Sequence, residues 1–159
     1  MNRIHRSIRA SVRLSYIFTG VFVLLLLALC FLLPRLVPSL LSAPDLIGDR
    51  TELAAGTKSF ILFLSYLIVA IALAAIGFLI FILRCVERGK VFSASVVRAL
   101  NGVSLCCLAE GIVFLIIGIW FQLSLLVFSM AGFLALCLHI VANVISVAAA
   151  YKAENDLTV

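Results

Sequence analysis

The chain has 159 residues, of which 65% are hydrophobic and only 12% charged, and its mean hydropathy is +1.32. A soluble domain of this length leaves a large share of its surface wet and has nowhere to hide so much apolar surface, so the composition excludes a water-soluble fold. The formal net charge of +5 sits beside apolar runs, which reads as topology determination and contact with anionic lipid head groups, not as direct nucleic-acid binding.

The expected fold is an all-α integral membrane protein of one four-helix domain. Roughly 20 apolar residues at about 1.5 Å rise each cover a hydrocarbon core near 30 Å, and four stretches qualify: about 14–33, 59–83, 99–123 and 124–151. The runs are continuous and lack the alternation of barrel strands, so helices are the way to satisfy their backbone in lipid. Before the first span lies MNRIHRSIRASVR, with Arg3, Arg6, Arg9 and Arg13. The apolar run after it is longer than an ordinary signal-peptide core and LLSA is a poor cleavage site, so residues 1–43 read as a retained span.

The outer loop, 34–58, contains Pro34, Pro38 and Pro44; each lacks an amide donor and restricts its predecessor, so no regular helix is expected through it. Leu36, Val37, Leu40, Leu41, Leu46 and Ile47 suggest that it lies on the membrane interface. Asp49 and Glu52 have the spacing of a capping box, which would start the second helix near Arg50. That helix is expected to stop at Gly89, which accepts a left-handed backbone cheaply, and Ser93 is positioned to cap the third. The connection 84–98 carries Arg84, Arg88, Lys90 and Arg98; with Lys152 and the N-terminal arginines it collects nine of the twelve basic residues on one side. The outer loop holds Arg35, Arg50 and Lys58 against Asp45, Asp49 and Glu52. Basic residues stay on the cytoplasmic side, so both termini should be cytoplasmic.

Between the third and fourth spans only Gln122 and Ser124 look turn-like, which predicts a tight antiparallel hairpin bending near 122–124. Trp120 with Phe121 reads as an interfacial anchor. Within the hairpin the sequence places one acid, Glu110, and one histidine, His139. At about 100° per residue, Gly102, Cys106, Ala109 and Glu110 share one face of the third helix. Ala131, Gly132, Ala135, His139, Ala142, Asn143, Ser146, Ala149 and Ala150 share one face of the fourth. Small residues let helix backbones approach in lipid, where association gains nothing from the hydrophobic effect. A turn near 123 puts Glu110 at the depth of His139, so the two are expected to pair, with Asn143 nearby, as a neutral polar clasp that fixes the register of the two helices. Proton or ion handling by Glu110 and His139 is the first alternative. Metal binding by Cys106, Glu110 and His139 is a weaker one, for there is no CxxC and no HExxH. The five cysteines imply no disulfide framework, since none lies in the outer loop. No catalytic set is recognisable, and neither an enzymatic activity nor a cofactor is expected.

Two segments go beyond general physics. ERGKVFSASVVRALNGV, entering the third helix, and YKAENDLTV, closing the chain, resemble the corresponding segments of the YoaS-like family of small bacterial four-helix membrane proteins. The resemblance rests on Gly89 and Phe92 and on Glu154, Asn155, Asp156, Leu157, Thr158 and Val159, about 25 residues in all. It implies a bacterial inner-membrane protein, and it implies a cytosolic helix-turn-helix regulator as partner, because such regulators are often encoded beside members of that family. The residues expected to meet such a partner are Arg84, Arg88, Gly89, Lys90, Phe92, Arg98, Glu154, Asn155, Asp156 and Leu157. A homo-oligomer is compatible with the small residues Ala70, Ala74 and Gly77 of the second span.

Overall fold

The computed structural model describes residues 2–41, 55–89 and 93–157. They form four helices: α1, Asn2–Leu41; α2, Ala55–Glu87; α3, Ala94–Ile117; and α4, Leu123–Leu157. Each contains a stretch long and apolar enough to cross a membrane, at Arg13–Ser39, Gly56–Glu87, Ala94–Ile117 and Leu123–Tyr151. The chain is a multi-pass, all-helical membrane protein.

α1 departs from the sequence expectation, because it runs through Pro34 and Pro38 to Leu41. The two prolines remove only the amides that would bond the carbonyls of Cys30 and Pro34, one turn apart on one side of the helix. Every other backbone group in this apolar stretch still needs a helical partner, since lipid offers none. Packing helps as well: Leu33 and Val37 are buried in a cluster with Ile61 and Val69 of α2. The expected capping box at Asp49 and Glu52, and the start near Arg50, lie outside the described residues.

The end of α2 and the start of α3 follow local chemistry. Gly89 has φ +68, and its amide donates to the Val86 carbonyl at 3.0 Å while the Arg88 amide donates to the Arg84 carbonyl at 3.2 Å. Ser93 is the N-cap of α3, its Oγ accepting from the Val96 amide at 3.4 Å. Such a cap contributes about 1 kcal/mol.

α3 ends earlier than the sequence suggested. The Gly118 amide still donates to the Phe114 carbonyl at 2.9 Å, but the next two amides, of Ile119 and Trp120, reach back only three residues, to Ile116 and Ile117. The reason lies at Gly118: a Cβ there would sit 2.6 Å from Cδ2 of Leu125. The missing side chain lets the start of α4 press against the end of α3, so the bend occupies 118–122. Trp120, within it, meets Phe60 of α2 edge-on, with ring centroids 6.1 Å apart.

Among the described residues the contacting helix pairs are α1 with α2, α2 with α3, and α3 with α4. The helices thus stand in an open row, with α1 and α4 at its edges. Burial agrees, for 28% of the α3 span is buried against 11% of each of the others. Among the described residues a row of this kind leaves the side of α4 opposite α3 without a neighbouring helix along most of its span.

Candidate functional site

The intramembrane polar groups are positioned by how α3 divides its surface between two neighbours. Val96, Ala99, Val103, Val113 and Ile117 are buried, at the alternating spacings of three and four that keep residues on one helix face. This stripe meets α2: Val113 and Ile117 cluster with Leu64, against which Ile68 and Ile71 also pack. A Cβ built on Gly102 would lie 3.0 Å from Cζ of Phe78, also in α2. Glu110 falls on this stripe, one turn before Val113. It is half-buried, and among the described residues it makes no hydrogen bond or ion pair.

The second stripe of α3 meets α4. Ser104, buried, donates its hydroxyl to the Ala135 carbonyl at 2.8 Å. Two turns on, a Cβ at Gly111 would meet Ala131 Cβ and Phe128 Cδ2, each at 3.5 Å. Opposite them Ala135 is 6% exposed and Ala142 0%. These alanines are the ones the sequence placed on the packing face of α4, and there the expectation agrees with the structure.

The broad small-residue face of α4 nevertheless splits in two. Ala131, Ala135 and Ala142 turn toward α3, whereas His139, Asn143, Ser146 and Ala150 are exposed on the surface of the chain. Glu110 therefore looks toward α2, and His139 lies on the far side of the α3–α4 contact. No hydrogen bond joins them, so the expected clasp is not what locks these helices. Among the described residues the side-chain bond between α3 and α4 is that of Ser104, a residue the sequence reading passed over. Its signal was available: Ser104, Gly111 and Gly118 recur every seven residues and mark the close-packed stripe.

The metal alternative fares similarly. Among the described residues no three histidine, cysteine or acidic side chains come together as a ligand set, so Cys106, Glu110 and His139 do not form one. His139 instead borders a surface groove of about 450 Å³ with Asn101, Ser104, Gly132 and Leu136. Asn101, unremarked in the sequence, thus brings a second amide to the polar surface already carrying His139 and Asn143.

At the other candidate surface, Arg84, Arg88, Gly89 and Arg98 are all exposed. Arg98 also edges a groove of about 610 Å³ between α2 and α3, floored by Ala74 and Gly77 and walled by Phe78 and Phe81. Tyr16 of α1 donates to the Glu87 carboxylate at 3.4 Å at the same end of the molecule. Lys90 and Phe92 lie outside the described residues, as do Thr158 and Val159. α4 stays helical through Asn155, Asp156 and Leu157, and Glu154 is exposed. Comparisons of the chain with protein-family models, curated proteins and solved structures find no match.

Proposed function

We propose that the chain is a non-enzymatic regulatory or interaction protein of a bacterial inner membrane, with both termini in the cytoplasm and α3 and α4 as an antiparallel hairpin. Its partner in this reading is a small cytosolic helix-turn-helix regulator, bound by the Arg84–Arg98 connection together with the end of α4. One observation carries the reading: α4 continues as helix beyond its membrane span, to Leu157. A helix that outlasts the bilayer by more than a turn is a preorganised docking element and loses less entropy on binding than a frayed tail. Exposed Arg84, Arg88 and Arg98 complement it with positive charge, which steers an acidic partner surface. The hairpin is supported by the order of the pairs Ser104 with Ala135, Gly111 with Ala131 and Gly118 with Leu125, and the orientation by the distribution of Lys and Arg.

The test is purification in mild detergent from the native host, using a tag inserted between residues 42 and 54, followed by mass spectrometry. A stoichiometric DNA-binding protein, lost on truncation after Lys152 with the helices intact, is the expected result. An unchanged set of retained proteins after both segments are altered, or none at all, refutes the reading.

A second reading is favoured by Glu110, an acid inside the α3 span with no hydrogen-bond partner among the described residues. Intramembrane ionisable groups of this kind serve proton-coupled transport. Proton flux into liposomes that disappears in Glu110→Gln, with assembly unchanged, would establish it; a parent protein without flux would dismiss it.

A further inference from the structure

We propose that the face of α4 that flanks its contact with α3 and carries His139 and Asn143 is an interface between two copies of this chain, in which Asn143 meets its own counterpart across a two-fold axis along the membrane normal. The α4 span runs from Leu123 to Tyr151, so at about 1.5 Å per residue His139 lies about 3 Å from its midpoint and Asn143 about 9 Å, both inside a hydrocarbon core about 30 Å thick. Both side chains are exposed on the single chain, and among the described residues neither makes a hydrogen bond. An amide or imidazole left against lipid forgoes bonds that hydrocarbon cannot replace. Something polar must cover this face.

The spacing says what shape the cover has. Gly132, Leu136, His139, Asn143, Ser146 and Ala150 follow one another at four, three, four, three and four residues, the repeat of a left-handed helix pair. Gly132 supplies a separate observation, because a Cβ built on it meets nothing within 4 Å. Unlike Gly102, Gly111 and Gly118, it has no close neighbour in its own chain. The adjacent stripe, with Phe133, Ile140, Val144 and Val147, is also exposed but wholly apolar, as a lipid-facing surface should be. Two exposed faces of one helix thus differ in chemistry, and only one suits lipid.

A second copy is the occupant that needs no further chemistry. A two-fold axis along the normal sets every residue of the seam opposite itself at equal depth. A primary amide both donates and accepts, and so does a neutral imidazole, so facing asparagines satisfy each other. Among the described residues α4 pairs with α3 at the edge of the row, and the groove that Gly132, Leu136 and His139 share with Asn101 and Leu105 of α3 opens outward, where another α4 can approach.

The experiment uses the full chain in phosphatidylethanolamine and phosphatidylglycerol vesicles. Ser146→Cys and Val147→Cys sit at nearly the same depth but about 100° apart. The expected result is a bismaleimide-linked dimer with Ser146→Cys, and with Val147→Cys no more than the wild-type chain gives through its own cysteines. By energy transfer between labelled copies, Asn143→Val should dissociate about tenfold more readily, since a mutual amide pair has two bonds and each in-membrane bond is worth about a threefold factor. Gly132→Leu should abolish energy transfer while leaving helical content unchanged, because its Cβ meets nothing within 4 Å and the side chain enters an open surface groove. Monomers at every protein density, or equal linking at 146 and 147, overturns the proposal. So does a chain that is monomeric alone yet links through Ser146→Cys to a different protein in native membranes.

Discussion

Replacing Glu110 with methionine should stabilise the protein. A polar clasp between α3 and α4 predicts the opposite, because removing one partner of a buried pair strands the other. The structure gives Glu110 no partner to strand: it is half-buried, on the stripe whose next members, Val113 and Ile117, pack with Leu64 of α2. A buried polar group without a hydrogen bond costs about 1–3 kcal/mol in protein mutational data, so a half-buried one costs about half of that. Methionine has similar length, adapts to irregular gaps and adds apolar contact with the α2 face. The expected gain is about 1–2 kcal/mol. SDS titration of the purified protein in bicelles, followed by circular dichroism, measures it as a rightward shift of the unfolding midpoint. Loss of more than about 1 kcal/mol would refute the reasoning and restore a bonded acid; stabilisation with loss of a flux or partner would mark Glu110 as a group retained for function at the expense of stability.

Four further outcomes are expected from the same assay and from topology mapping. Ser104→Ala deletes the 2.8 Å bond to the Ala135 carbonyl and should cost about 0.6 kcal/mol, with about 1.7 kcal/mol as the upper end for bonds of this kind; a neutral effect would show that small-residue packing alone sets the register. Gly111→Ala should be tolerated, since its Cβ would have only ordinary contacts at 3.5 Å, whereas Gly111→Leu should destabilise by about 1–3 kcal/mol through overpacking against Ala131 and Phe128. Gly89→Val, which forces a β-branched residue to φ +68, should cost about 1–2 kcal/mol and disorder the α2–α3 connection; a reporter fused after Val159 should register a cytoplasmic location, and a periplasmic one would invert the proposed orientation.

The four spans were legible because length and apolarity suffice to identify a crossing helix, and the α2–α3 connection because Gly89 and Ser93 act through their own backbone geometry. Pro34 and Pro38 misled for a physical reason: their local cost is real, but where lipid is the solvent the unfolded alternative for the surrounding backbone costs more. The bend at Gly118 was missed because a glycine inside an apolar run looks like any other small packing residue, and only the approach of Leu125 distinguishes it.

The site was harder to read, because sequence gives depth along a helix well and direction around it poorly. Glu110 and His139 do lie on small-residue faces, but α3 has two neighbours and α4 one, and nothing in either helix alone says which face meets which neighbour. An error of one residue, about 100°, moves a side chain from a helix interface to the surface. On α4 that same shift separates Ala142, completely buried, from Asn143, exposed beside it. Alanine has no polar group to satisfy and is spent on the permanent contact with α3. Asparagine and histidine, which must be satisfied, stand on the face left free at the edge of the row. In lipid, where apolar faces do not select one another, polar groups are the means by which one helix surface can distinguish a protein partner from the bilayer. Their placement on the edge helix is therefore an argument for assembly, and the central position of Glu110 is an argument that its role lies inside the single chain.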